Sequence, residues 1–167
     1  MAPDRTNPGI QKLKHIVVLM MENRPFDHML GALHARNPKI DGLTGAESNP
    51  DTTGSRASVQ PLAEYQSQLD PDPNHEFSAV DLQIFNGQTG TGRQPNMQGF
   101  VASYFQKQRN VAHSHKILYY FTPDKLPVLS NLATEFAVFN RWFSPSPDRP
   151  SATAPSPTTA PPSATSA

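Results

Sequence analysis

Six consecutive apolar residues at positions 16–21, IVVLMM, run directly into Glu22-Asn23. The run starts with β-branched residues and has no polar alternation. Such a stretch suits a strand covered on both faces, as in a parallel sheet. This strongly limits the fold, because a two-sided strand needs neighbours beside it and layers above and below it. Arg24-Pro25 then interrupts the run. Proline fits the first turn of a helix, with Asn23 or Arg24 near the cap. Phe26, Met29, Leu30 and Leu33 recur at helical spacing, which predicts a short helix over 25–33.

Residues 36–74 are rich in Asn, Asp, Gly, Pro and Ser and read as a long loop. A loop of that length in a compact domain is often functional. A helix is expected over 75–85, with Asn74 as cap. Residues 87–95 form another loop, and 97–105 are expected to be helical. Pro127 opens a further helix in which Val128, Leu129, Leu132 and Ala133 recur at helical spacing. Residues 136–139 read as a second buried strand, followed by Asn140-Arg141 much as Glu22-Asn23 follows the first. Apolar strands separated by helical patterns indicate α/β architecture.

After Arg149 the chain contains only Pro, Ser, Ala and Thr. Such a segment buries too little apolar surface to offset its ordering entropy, so a disordered C-terminal tail is expected. The expected organisation is a folded part over 12–146 and a tail over 147–167.

The 14 basic and 14 acidic residues cancel, and no basic run stands out. Nothing here gives an electrostatic footprint for nucleic acid or an anionic membrane. Cysteine is absent, which excludes disulfides, thiolate metal sites and a cysteine nucleophile. No stretch approaches the roughly 20 apolar residues of a transmembrane helix. Lys12 and Lys14 before the apolar run loosely mimic a signal peptide, but Glu22 cuts the run short. A cytoplasmic location is the default expectation.

Glu22 and Asn23 sit where the first expected strand ends. In open α/β sheets, ligands bind outside the carboxyl ends of the strands. A carboxylate and an amide oxygen are hard donors for a divalent cation. The same two residues also suit a helix start, Glu22 by its charge and Asn23 as a cap. Asp27 and His28 follow on the helix; one could orient a ligand, or both could be exposed. His75, between Asn74 and Glu76, suits a general acid or a phosphate contact, or simply a helix start. His113 and His115 lie in a polar stretch and read as solvated. Ser144, Ser146 and Ser151 are hydroxyl nucleophiles by residue type alone, without an adjacent base. No glycine-rich phosphate loop follows the first strand, which argues against a nucleotide-binding module.

The segment KHIVVLMMENRPFDHMLG resembles the opening motif of a bacterial and fungal phosphoesterase family, which contains non-haemolytic phospholipase C and a class of acid phosphatases. Pro25 stands where that motif has Ser. PDPNHEFSAVDLQIFNG resembles the family's histidine–acidic–aromatic segment, and NMQGFVASY its M-D-G-F-V segment, with Gln98 in place of Asp. YYFTPDKLPVLSNLATEFAVFNRWFS resembles the approach to its catalytic loop, with Asn140 in place of a common Asp.

The resemblance implies an alkaline-phosphatase-like parallel sheet with flanking helices, incomplete in this chain. It implies metal-assisted hydrolysis of a phosphoester, either a small molecule or a phospholipid, by a hydroxyl nucleophile. By position, Glu22 and Asn23 become metal ligands for a divalent ion, and His75 an active-site histidine. The family's nucleophile position falls on Pro150, which has no hydroxyl, while Ser151 is one residue out of register. The family's later metal ligands have no counterpart in these residues. A truncated phosphoesterase is therefore expected, with a catalytically inert fragment as the alternative. Secretion is an expectation for full-length relatives.

Overall fold

The computed structural model describes residue 9 and residues 12–19, 24–65 and 69–143. Its centre is a small mixed unit built around two helices and a hairpin. Strands β1 (Ser48–Pro50) and β2 (Arg56–Ser58) pair antiparallel, with Asn49 opposite Ala57. Their turn closes on Asp51. One of its carboxylate oxygens accepts from Thr53 N at 2.8 Å, Ser55 N at 3.1 Å and the Thr53 hydroxyl at 2.7 Å. Gly54 completes the turn at φ +88°, a left-handed conformation that glycine adopts without penalty.

Helices α2 (Phe77–Phe85) and α3 (Phe100–Gln108) pack against each other. Gly99 makes their approach feasible, because a Cβ there would overlap the Leu82 carbonyl. Asn86 ends α2 in a left-handed conformation, and its N–H donates to Leu82 O at 2.8 Å. Arg93 folds the following loop back: its guanidinium meets the Asp81 carboxylate at 2.7–2.8 Å and lies 3.9 Å from the centre of the Phe85 ring. A short α4 (Val111–Ser114), capped by the Asn110 side chain, runs into a 3-10 turn over His115–Leu118.

Strand β3 (Gln60–Pro61) pairs in parallel with β4 (Tyr119–Tyr120). Against β4 packs α1 (Phe26–Met29), followed by a 3-10 turn over Gly31–Ala35. Helix α5 (Pro127–Glu135) begins on proline at its first position. The core consists of Leu33, Ile40, Ala57, Leu62, Ala79, Val101, Tyr104 and Phe121. Full burial of a large apolar side chain such as these contributes about 1.5–3 kcal/mol.

The α/β class holds only in its coarse form, as mixed helices and short strands. The extended sheet does not form among the described residues. Positions 16–19 belong to no strand, and Ile16, Val17, Val18 and Leu19 are 73–91% exposed. Residues 136–139 are likewise not a strand, and Phe136 and Phe139 are 74% and 71% exposed. The physical reason is the one that made these runs readable: a two-sided strand is stable only between neighbours. The described residues supply none.

Smaller differences have local causes. The helix expected over 25–33 breaks at Leu30, whose φ of −129° is not helical. Met97, at φ +55°, and the close contact at Gly99 delay α3 to Phe100. Val128 and Leu132 face solvent rather than a core. The loop expected over 36–74 contains three short strands. Residues 20–23 and the tail expected over 147–167 lie outside the described residues.

Candidate functional site

Glu22 and Asn23, the expected metal ligands, lie outside the described residues, as do Ser144, Ser146, Pro150 and Ser151. The chain just beyond these two expected ligands is described, and His28 holds it. His28 Nδ1 lies 2.7 Å from Tyr119 O, and Nε2 lies 3.2 Å from an Arg24 guanidinium nitrogen. A guanidinium can only donate, so Nε2 accepts and Nδ1 carries the proton. The ring is therefore neutral. Burial pushes its pKa below the ordinary value of 6.5, with the Arg24 charge acting in the same direction and the Tyr119 carbonyl opposing. The ring meets Phe121 edge-on at 4.8 Å between centroids, and His28 O accepts from Phe121 N at 2.8 Å. His28 is thus a brace between the motif and β4, not an exposed helix residue.

Asp27 is exposed and stands near other acids. Partial desolvation of the carboxyl raises its pKa first, and the charges of Glu47 and Asp41 add to the effect. Arg141 offsets part of that negative field by binding Asp41 at 2.8 Å.

His75 lies elsewhere, at the entry to α2. It lines a polar surface cleft of about 320 Å³ with Asp72, Pro73, Asn74, Glu76 and Lys107. Its Nδ1 is 4.0 Å from an Asp72 carboxylate oxygen. Asn74 does not cap α2 directly. Its side-chain oxygen accepts from Glu76 N at 3.1 Å, and Glu76 takes the cap position.

The segment bearing His75 is tied down from beneath. Tyr104, 1% exposed, donates its hydroxyl to Pro71 O at 2.9 Å. Gln83 Nε2 donates to Asn74 O at 3.0 Å and also lies 3.2 Å from Ser103 Oγ. Burial and the nearby Asp70 and Asp72 charges push the Tyr104 hydroxyl pKa upward, which keeps it a donor. A rigid seat under a partly exposed imidazole, with a cation and two carboxylates in reach, suits proton transfer or anion contact.

His113 and His115 are not solvated as expected. His113 Nε2 lies 3.2 Å from the Tyr104 hydroxyl, and His115 Nε2 lies 3.1 Å from Asp51. Both pin the core. Asn49 carries no sequence signal beyond its turn-like context, yet it is 5% exposed and joins two elements: it donates to Met97 O at 3.1 Å and accepts from Phe100 N at 2.9 Å. Lys107 in the His75 cleft also escaped the sequence reading, because only the fold brings α3 alongside residues 72–76.

Among the described residues, no group of three or more His, Asp or Glu side chains could hold a metal ion. The oxygens of Glu22 and Asn23 are chemically suited to a hard divalent cation. They are only two donors, against the roughly six oxygens that Mg²⁺ takes or more for Ca²⁺. No polar contact among the described residues links His75 to Asp27 or His28.

The phosphoesterase family profile matches residues 13–157, so the match starts just before the apolar run and takes in both the His28 brace and the His75 cleft. The chain belongs to the phosphoesterase family. It is 42% identical over 142 residues to the non-specific phospholipase C6 of Arabidopsis thaliana, covering 83% of this chain and 26% of that protein. It is 42% identical over 139 residues to non-specific phospholipase C1 of the same plant, covering 81% and 25%. Against non-specific phospholipase C4, also from that plant, it is 34% identical over 148 residues, covering 83% and 27%. The chain spans about a quarter of the length of the curated relatives it matches.

Proposed function

We propose that these residues are the opening part of a metal-assisted phosphoester hydrolase of the phospholipase C type. The observation that carries this reading is the similarity to non-specific phospholipases C along more than four fifths of the chain. Residues 12–146 form the N-terminal part of the catalytic domain. Glu22 and Asn23 contribute two oxygen ligands to a divalent cation, which when bound withdraws charge from the phosphoryl oxygens and lowers the pKa of an attacking hydroxyl. His75, seated over Tyr104 and Gln83, delivers a proton to the departing oxygen or hydrogen-bonds the phosphate. Lys107 beside it adds positive charge to the cleft. His28, through its contacts with Arg24 and Tyr119, ties the chain that follows Glu22 and Asn23 to β4.

A second reading has its own support. The family's nucleophile position holds Pro150, and the apolar runs at 16–19 and 136–139 are exposed. On that reading the chain alone is an inert fragment with at most weak metal binding.

One experiment decides between them. The purified chain is assayed for choline phosphate release from phosphatidylcholine vesicles and for phosphate release from a simple monoester, each with Mg²⁺, Ca²⁺, Mn²⁺ or Zn²⁺. An active chain loses turnover in Glu22→Ala and falls by about 10²–10⁴-fold in His75→Ala. Absence of turnover with every metal ends the active reading and leaves the inert fragment.

A further inference from the structure

Pro71, Asp72, Pro73 and Asn74 lead into His75, and the two prolines have no N–H to donate. The segment is therefore poor in donors, and other elements hold it by its carbonyls. Tyr104 on α3 donates its hydroxyl to Pro71 O at 2.9 Å, and Gln83 on α2 donates to Asn74 O at 3.0 Å. The first of these bonds also reaches across the cleft. Lys107 follows Tyr104 by about one turn on α3 and lines the cleft with His75. The Tyr104–Pro71 bond thus ties the helix that carries the cleft's cation to the segment that carries its imidazole.

A tyrosine hydroxyl has a single proton and rotates to find an acceptor. Two groups lie in reach of this one: Pro71 O at 2.9 Å and His113 Nε2 at 3.2 Å. The His113 ring decides which of them receives the proton. With hydrogen on Nε2, His113 donates to the hydroxyl oxygen, and the Tyr104 proton is left for Pro71. With Nε2 bare, the imidazole competes for that proton, and Pro71 O loses its donor. The two donations in a row, His113 to Tyr104 to Pro71, polarise and strengthen each other. The nearby Asp70 and Asp72 charges, with burial, keep the proton on the Tyr104 hydroxyl.

His113 is set for this contact by its own helix. The Asn110 side chain caps α4 by accepting from His113 N at 2.9 Å, and α4 packs against α3. The His113 and Tyr104 rings lie 5.7 Å apart between centroids, tilted by 44°. His113 does not itself line the cleft.

We propose that His113 is a positioning residue for the His75 cleft: its Nε2–H donates to the Tyr104 hydroxyl, directs that hydroxyl onto Pro71 O, and so fixes the His75 segment relative to Lys107. The chemical purpose of that placement rests on the proposed reading of His75 as a proton donor or phosphate contact. The placement itself does not.

The test is nuclear magnetic resonance on the full chain, with inorganic phosphate as the probe. Tyr104→Phe removes only the hydroxyl, and His113→Leu removes the donor at similar volume. His113→Gln keeps an N–H donor at about the reach of the imidazole Nε2. The wild-type His113 ring should carry hydrogen on Nε2. In Tyr104→Phe and His113→Leu, the backbone order parameters of Asp72, Asn74, His75 and Glu76 should fall from about 0.85 to below about 0.6. Phosphate affinity, read from the His75 and Lys107 signals, should fall about three- to tenfold, as expected for one neutral hydrogen bond. His113→Gln should keep both close to wild type. The turn over 51–55 should be unchanged in every variant, which separates local release from general loosening. Three results overturn the proposal: a His113 ring with hydrogen on Nδ1 alone, a His75 segment as ordered in His113→Leu as in the wild type, or a Gln variant that behaves like the Leu variant. A wild-type chain that binds no phosphate counts against the reading of His75 alone, because the ring signals and order parameters still decide the role of His113.

Discussion

The segment from Ser48 to Phe121 and the two apolar runs outside it follow opposite rules. In the first, polar groups are buried and paired: Asn49, Asp51, Ser103 and Ser114 are each at most 9% exposed, and no described buried side-chain nitrogen or oxygen lacks a partner. In the second, large apolar residues such as Val17, Leu19, Phe136 and Phe139 lie in solvent. The difference separates two kinds of information. Hydrogen-bonded caps and turns can be completed by this chain's own residues, whereas a two-sided strand depends on neighbours outside the described residues.

The comparison is most directly broken at Tyr104. Tyr104→Ala removes a fully buried ring and its bonds to Pro71 and His113 together, and should cost about 3–5 kcal/mol in urea unfolding. A loss below 1 kcal/mol would mean that the interior is not packed as described. Asn49→Ala should cost about 1–3 kcal/mol, because Met97 O loses its donor and Phe100 N its acceptor. Retention of full stability in that variant would contradict the bridge between β1 and α3.

The His28 brace predicts a pH dependence. Its folded pKa is depressed, so the unfolded chain binds the proton more readily. Stability is therefore complete above the unfolded value near 6.5 and declines as pH falls below it toward the folded value. His28→Asn should flatten that part of the stability–pH curve; an unchanged slope would assign it to another group. The smallest effect belongs to the exposed run. Val17→Thr should change the stability of the chain alone by no more than about 0.5 kcal/mol while raising its solubility.

Local signals in the sequence survived where their partners are also local. Pro127 opens α5 because proline's fixed φ and missing N–H suit a first turn whatever surrounds it. The helix beginning after His75 was legible for a similar reason. The strands expected at 16–21, of which 16–19 are described, and at 136–139 were legible as patterns, but the described residues form no strand there, because the pattern records what the chain needs rather than what these residues supply. His113 and His115 were misread as solvated because their partners, Tyr104 and Asp51, lie nine and sixty-four positions away. The cleft around His75 shared that difficulty, since Lys107 reaches it only through the crossing of α2 and α3. The family motif named Glu22, Asn23 and His75, whereas the brace at His28 emerged only from its contacts with Tyr119 and Phe121.

The bond from Phe100 N to Asn49 Oδ1 has a consequence for how this chain acquires its shape. It spans 51 positions and satisfies a donor in the first turn of α3 that the helix cannot satisfy itself. The helix therefore starts unfinished until the hairpin arrives, and the hairpin carries a buried amide that wants the helix. Neither element reaches full stability before the intervening loop closes, so order in this region is expected to arise in one step, with the two halves vouching for each other.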